Sequence, residues 1–271
     1  MFSRVVQMFV PLGRRIRADL WPIVAQNSTW RALALADIRS KYRRTVIGPW
    51  WITVSNGFTA LIIGVVSGRF LGSDMTTYLP FFVTGMTIWT FMSSSLIEGS
   101  QTLIYAGGLI KTSNLPIGFY VMRMMQRNFI IFLHNIMVVP MVWLFLPWHP
   151  GWQILLAIPG LVLVYGFAVG MTFIISMICC RYRDIPQIVA TVIQLFFFIS
   201  PIIWMPEQLH GGHTVLRFNP VGYLLSVTRD PIVGRPVPLE SWMLAGMTDI
   251  VVLAVAAWIY VRYRSRIIYW V

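Results

Sequence analysis

Charged residues are scarce in this 271-residue chain, at 11% of the total, whereas an ordinary soluble domain carries about 25%. A water-soluble fold of this size would lack the polar surface to cover itself. Acid is scarcer still: 9 Asp and Glu stand against 21 Lys and Arg, for a formal net charge of +12. There are no paired carboxylates for acid–base catalysis and no Asp/Glu/His chain of the kind a proton-coupled transporter uses. Cysteine occurs only as the neighbours Cys179 and Cys180. Adjacent cysteines rarely bridge each other and no CxxC spacing exists, so these read as two small apolar residues at a helix end beside Arg181 and Arg183.

Histidine is also rare. His210 and His213 could share a helix face, but Gly211 and Gly212 lie between them and no Cys or carboxylate set completes a metal site, which favours a solvated loop. His134, beside Asn135, fits inter-helix hydrogen bonding better than a proton relay. A nucleotide site is missing as well. GGLIKT at 107–112 resembles a phosphate loop only in outline, because isoleucine precedes Lys111 and an apolar stretch rather than a strand precedes the loop. No cleavable leader is expected, since the apolar residues 5–12 are followed by Arg14, Arg15 and Arg17 instead of a small-residue cleavage site. There is no convincing internal repeat, and one membrane domain is expected.

What the chain does have is hydrophobicity, at 57%, together with 14% aromatics including 12 Trp. About 20 mostly apolar residues carry a helix across the hydrocarbon, and six stretches qualify: 47–68, 79–98, 129–146, 152–180, 185–205 and 242–261. The expected fold is an all-α membrane protein of six transmembrane helices, with residues 1–46 as an N-terminal segment and 47–271 as the spanning domain. Lys and Arg crowd one side of that arrangement: Arg4, Arg14, Arg15, Arg17, Arg31, Arg39, Lys41, Arg43 and Arg44, then Lys111, Arg123 and Arg127, then Arg181 and Arg183, then Arg262, Arg264 and Arg266. The other side has Arg69, Arg217, Arg229 and Arg235, accompanied by Asp74, Glu207, Asp230 and Glu240. The bias places both termini in the cytoplasm and explains the positive charge as a topology signal, leaving nucleic acid without support.

Residues 30–45, WRALALADIRSKYRRT, gather Ala34, Leu35, Ile38 and Tyr42 on one helical face and Arg39, Arg43 and Arg44 on the other. The pattern predicts a helix lying in the membrane interface. Gly48-Pro49 then breaks it, and Trp50 and Trp51 anchor the turn into the first span. Between the second and third spans, SNLPIGFYVMRMMQRN predicts a short amphipathic helix begun by Ser113 or Asn114, with Pro116 in its first turn. Residues 206–234 are too polar and too broken to cross, yet FNPVGYLLSV is apolar enough to dip back into the bilayer under protein cover. Phe196, Phe197 and Phe198 precede Ser200-Pro201, Trp204 follows, and Trp50, Trp51 and Phe58 come from the first span. Such rings either pack or line a path for sugar faces. Glu98 and Asp249 are acids of the second and sixth spans without an evident role.

Taken in order, DIRSKYRRTVIGPWW, GLIKTSNLP, CRYRDIPQIV, SPIIWMPEQL, FNPVGYLLSVTRDPIVG and the ending RSRIIYWV resemble the membrane subunit of polysaccharide-exporting ABC transporters. These are the type-2 exporter permeases of O-antigen, capsule and teichoic acid systems, and the O-antigen branch is the most similar. The resemblance covers nearly the whole chain. It implies a homodimer in the bacterial inner membrane joined to two ATPase subunits, which would hold ATP and magnesium while this chain holds no cofactor, no metal and no catalytic residue. It places a coupling helix near Lys111, Asn114, Leu115 and Pro116, and re-entrant periplasmic gate helices around Pro206, Phe218, Asn219, Pro220 and Tyr223. It further implies a cargo carried on a lipid such as undecaprenyl diphosphate. Arg39, Lys41, Arg43 and Arg44 would attract that diphosphate or would simply obey the positive-inside rule, and Trp50, Trp51, Phe58, Phe196, Phe197, Phe198 and Trp204 would line the path. The alternatives are an ABC permease for a drug or another lipid, and an ion-coupled secondary transporter.

Overall fold

The computed structural model describes residues 21–43, 50–146, 151–208 and 219–271. Arg44, the Gly48-Pro49 break and the expected gate residue Phe218 lie outside them, as do residues 1–20. Among the described residues the regular elements are all helical: α1 Asn27–Tyr42, α2 Trp50–Phe70, α3 Met75–Tyr105, α4 Gly107–Thr112, α5 Ile117–Asn135, α6 Val138–Trp143, α7 Ala157–Arg181, α8 Ile185–Ile199, α9 Pro220–Ile232 and α10 Leu239–Trp270, with 3-10 turns at Trp152–Leu156 and Pro206–Gln208.

Four helical stretches are long and apolar enough to cross a membrane: α2, α3, α7 with its leading 3-10 turn, and α10. The other two expected spans take different forms. The third, expected at 129–146, begins at Ile117 and is jointed at Ile136 and Met137 before α6. Pro140 accounts for the joint, because it has no N–H to offer the Ile136 carbonyl four residues back and its ring crowds that oxygen. The fifth, expected to reach 205, stops at Ile199 after 15 residues. At about 1.5 Å per residue that is roughly 22 Å, short of the ~30 Å hydrocarbon.

Other expectations shift for equally local reasons. No helix begins at Ser113 or Asn114: residues 113–116 are a non-helical link, and Pro116 is the cap residue of α5, with φ −62° and ψ 140°. The long helix α3 extends beyond 79–98 at both ends. Asp74 caps its start by accepting from the Thr76 amide and hydroxyl, bonds that hold the Asp74 carboxyl below the usual carboxylate range. The face of α1 is rotated from the expected one. Trp30, Ala34 and Ile38 are buried while Leu35 is exposed, and α1 packs on α5, so its apolar stripe meets protein where a lipid contact was expected.

The helices meet through small residues. Thr53, Gly57, Ala60, Gly64 and Gly68 form the buried edge of α2, which packs on α3; α3 presents Leu79 and Phe82 to Gly64 and Tyr78 to Gly68. At the centre, Phe91 of α3, Phe129 and Phe132 of α5 and Tyr165 of α7 form a ring cluster with centroids 5.0 to 6.3 Å apart. Around α7 lie α3, α9 and α10. Gly160 of α7 lets α9 come so near that an added Cβ would sit 2.5 Å from the Val227 carbonyl oxygen, whereas Gly246 faces open space. Because backbone cannot rotate aside, Gly160→Ala is expected to cost about 1–3 kcal/mol and to lower the thermal midpoint of the detergent-purified protein. Gly246→Ala should leave that midpoint unchanged, and equal midpoints for the two variants would contradict the close contact.

Candidate substrate entrance, gate and coupling surface

Three sets of side chains stand where the resemblance places an entrance, a gate and a coupling surface. At the end of α1, Arg39, Lys41 and Arg43 are exposed, with no carboxylate within ion-pair distance among the described residues. Beneath them α1 is fastened to α5 by a two-pronged pair, Arg123 donating to both oxygens of Asp37, one at 2.8 Å. Arg127 of α5 likewise reaches Glu98 of α3, which gives that glutamate a structural partner. Between these three helices lies a cavity of about 600 Å³ lined by Lys41, Glu98, Arg123, Arg127, Gln101 and Tyr120 among others. It shares Lys41 and Glu98 with a second cavity of about 140 Å³, which runs between α2, α3 and α5 past Asn56, Ser94, Asn128 and Asn135. A polar seam therefore enters the helix bundle from the basic end of α1.

The predicted aromatic residues do not converge within one chain. Trp51 and Phe58 of α2 are exposed on a stripe with Val54, Ile62 and Val66, while Trp50 lies edge-on to His134 with centroids 5.8 Å apart. His134 spends its Nδ1 on the Ile130 carbonyl at 2.8 Å. On α8, Phe198 is exposed, Phe196 and Phe197 are half-buried, and Phe197 rests on Trp89 of α3 at 6.0 Å. Trp204 donates to the Phe198 carbonyl at 3.0 Å, folding the segment after α8 back onto it. Both α2 and α8 pack on α3, and no ring contact joins them among the described residues.

The region expected to form a gate is built on helix α9, which lies against α3, α7 and α10. Pro220 opens α9, and Asn219 caps it by accepting from the Val221 and Gly222 amides while donating to Ser200 Oγ at 3.0 Å. Tyr223 and Pro206 are half-buried. The residue that organises this region was read in the sequence only as a charge of the outer side. Arg229 is 2% exposed, with its guanidinium carbon 3.6 Å from the centre of the Phe81 ring. It donates to Asp230 at 2.9 Å and to the Pro201 carbonyl. Arg235 lies over the same ring at 5.0 Å and pairs with Glu207 at 3.2 Å. The signal available in the sequence was the Arg229-Asp230 pair inside an otherwise apolar stretch, and such a charge is tolerated only when partnered.

Of the residues expected to couple to a partner, Lys111 lies in the last turn of α4, and Asn114, Leu115 and Pro116 lie on the link between α4 and α5. Lys111 and Asn114 are exposed and Leu115 is half-buried. The link is clamped from behind: Lys111 Nζ donates to the Val271 oxygen at 2.5 Å, Ser113 meets the Tyr120 hydroxyl at 2.7 Å, and Tyr260 OH accepts from the Gly118 amide at 3.3 Å. Asp249 of α10 is buried against Gly166 of α7, where an added Cβ would lie 2.8 Å from both carboxylate oxygens. Groups of three or more His, Cys, Asp or Glu able to hold a metal do not occur among the described residues, and Cys179 and Cys180 are buried free thiols.

Removing one partner of a buried charged pair costs about 3–5 kcal/mol, so Arg229→Ala is expected to abolish monodisperse protein in size-exclusion chromatography. Arg229→Lys retains the charge but not the planar stack on Phe81 and should fall between, and wild-type behaviour of both variants would remove Arg229 from its organising role. The chain also has known relatives. It is 22% identical over 238 residues to an O-antigen export system permease protein RfbA of Klebsiella pneumoniae, covering 85% of this chain and 90% of the relative. A protein of the same description from Myxococcus xanthus is 19% identical over 240 residues, covering 87% and 92%. The family profile of the ABC-2 type transporters matches residues 28–232, from α1 to the end of α9, and on that match the chain is a multi-pass membrane protein belonging to the ABC-2 type transporter family.

Proposed function

We propose that this chain is the membrane permease of an exporter that moves a lipid-linked polysaccharide, of the O-antigen kind, across the bacterial inner membrane. The observation that carries the reading is the pair of O-antigen export permeases from two distant bacteria that align with 85% or more of the chain. In this reading ATP is bound and hydrolysed with magnesium by a separate subunit, present in two copies, and this chain supplies the path. The six crossings are α2, α3, the jointed α5–α6 rod, α7, α8 continued by its turn, and α10, with both termini cytoplasmic.

Two exposed apolar stripes support a homodimer. One is Trp51, Val54, Phe58, Ile62 and Val66 on α2, and the other is Ile188, Val192, Leu195, Phe198 and Ile199 on α8. They flank α3 without touching each other. Pairing α2 of one protomer with α8 of the next would assemble a ring-lined passage between two copies, where a hydrated glycan could slide over apolar and aromatic faces without being held by deep polar sites. At the basic end of α1, Arg39, Lys41, Arg43 and Arg44 would draw in the lipid diphosphate by charge-assisted contacts. Partner movements would arrive through Lys111, Asn114, Leu115 and Pro116, and Asn219, Pro220, Tyr223, Pro206 and Phe218 would form the periplasmic gate.

The test is the ATPase rate of the permease co-purified with its genomically adjacent nucleotide-binding protein in lipid nanodiscs, with and without the lipid-linked glycan of the same organism. Stimulation by the glycan-lipid is the expected result. A complex indifferent to it would overturn the cargo, and failure to form any complex would overturn the exporter. Arg43→Gln with Arg44→Gln should weaken apparent affinity for the glycan-lipid about thirtyfold, since each basic residue near an anionic surface contributes about 1 kcal/mol. Unchanged affinity at normal expression would return those arginines to a topology role alone.

A further inference from the structure

A second basic region lies away from the α1 entrance, where α7 and α10 run side by side toward their C-terminal ends. A groove of about 510 Å³ opens there, lined by Arg181, Tyr182, Trp258, Tyr263, Arg266 and Trp270, with Met177, Ile178 and Ile259 continuing along the helices. Its two arginines lie among rings: Arg181 is 5.6 Å from the centre of Trp270 and 5.9 Å from that of Tyr182, and Arg266 is 5.8 Å from that of Tyr263. Trp270 is itself held, Tyr263 lying 6.0 Å away and Arg183 donating to its carbonyl at 3.2 Å. No carboxylate lines the groove, and neither Arg181 nor Arg266 forms an ion pair among the described residues.

We infer that this groove holds an anionic glycerophospholipid of the resident membrane, its phosphate between Arg181 and Arg266 and one acyl chain along Ile178, Ile259 and Trp258. The chemistry matches in both halves. Aromatic rings with a polar edge belong at headgroup depth, and a basic pocket between spanning helices on the cytoplasmic side is suited to acidic headgroups. Two helices end here and their carbonyl ends contribute about half a negative charge each. Two full positive charges exceed that, and Arg262 and Arg264 lie on the same end of α10. A free phosphate would leave the apolar floor uncovered, and a zwitterionic lipid would bring a cation of its own beside its phosphate, leaving the two arginines only partly balanced. The groove belongs to α7 and α10, whereas the proposed cargo entrance belongs to α1, α2, α3 and α5, so a resident lipid here would not compete with cargo. The exporter reading enters only in assigning the groove to the inner leaflet, and lipid binding can be read without cargo, ATP or transport.

The test is native mass spectrometry of the full-length permease titrated with dioleoylphosphatidylglycerol or with dioleoylphosphatidylcholine, which carries the same chains under a neutral headgroup. The wild type is expected to retain the anionic lipid at about tenfold lower concentration. Arg181→Gln with Arg266→Gln should erase the preference, Arg181→Lys with Arg266→Lys should keep most of it, and Arg31→Gln with Arg69→Gln, both exposed and outside the groove, should leave it in place. If the Gln pair is not monodisperse, Trp258→Ala keeps both charges, removes the apolar shelf and should weaken retention of both lipids several-fold. Equal retention of the two lipids by the wild type, or equal loss in the pair outside the groove, would overturn the inference. So would a Gln pair that keeps the lipid preference but loses its nucleotide-binding partner, because the surface would then belong to that protein.

Discussion

Backbone that leaves a helix inside an apolar environment must find partners for its polar groups, and in this protein the stretch from Ser200 to Gln208 sets that requirement. Helix α8 ends after Ile199, and the chain runs on among α3 and α9 without a ladder of its own. Side chains take over the bonding. Tyr78 donates to the Ile203 carbonyl at 2.5 Å, Arg229 donates to that of Pro201, and Asn219 reaches Ser200. These donors come from the start of α3 and from both ends of α9, so the position of α9 and the non-helical segment fix each other. Phe81 then carries the charge that this arrangement requires, lying beneath both Arg229 and Arg235. An apolar residue at 229 would fill the space but leave the Pro201 oxygen and the Asp230 carboxylate to find other partners.

The rest of the bundle solves a different problem. Lipid tails are as apolar as leucine, so helices in a bilayer gain little from burying apolar faces against one another and depend on close van der Waals approach instead. The glycine edge of α2 against α3 and Gly160 against α9 provide that approach, as does Gly99 of α3, where an added Cβ would lie 2.6 Å from the Thr172 side chain. On α2 the large residues are correspondingly displaced outward. The exposed stripe of α2 follows from this: once the small residues are turned in, the rings can only face lipid or another protein.

What could be read in the sequence divides along the same physical line. Hydropathy averaged over a window locates α2, α7 and α10 because their apolar runs coincide with their helices. It misplaces the start of α5, where Arg123 and Arg127 dilute the average although the helix is unbroken from Ile117 to Asn135. It also overextends α8, because Ile202, Ile203 and Met205 are apolar without being helical. On α1 the expected residues Ala34 and Ile38 are buried, but Leu35 looks like core until Trp30, Ala34 and Ile38 are seen to make the contact. The candidate entrance, gate and coupling residues could be named from the resemblance, but the pairs Asp37–Arg123 and Glu98–Arg127 could not. An 86-residue separation leaves no trace in local pattern, and a positive-inside count treats a paired arginine and a free one alike.

That distinction between paired and free cations sorts the basic residues by what they are able to do. Arg123, Arg127, Arg229 and Arg235 each face a carboxylate within 3.2 Å, so their charge is spent on holding helices and segments in register. Arg39, Lys41 and Arg43, and at the other basic region Arg181 and Arg266, have no such partner among the described residues. Arginine presents a planar fork that fits two oxygens of a phosphate at once and stacks on rings at little desolvation cost. Where an unpaired arginine is also surrounded by Trp and Tyr, as at the ends of α7 and α10, the missing carboxylate and the aromatic setting together favour an anionic headgroup over bulk counterions.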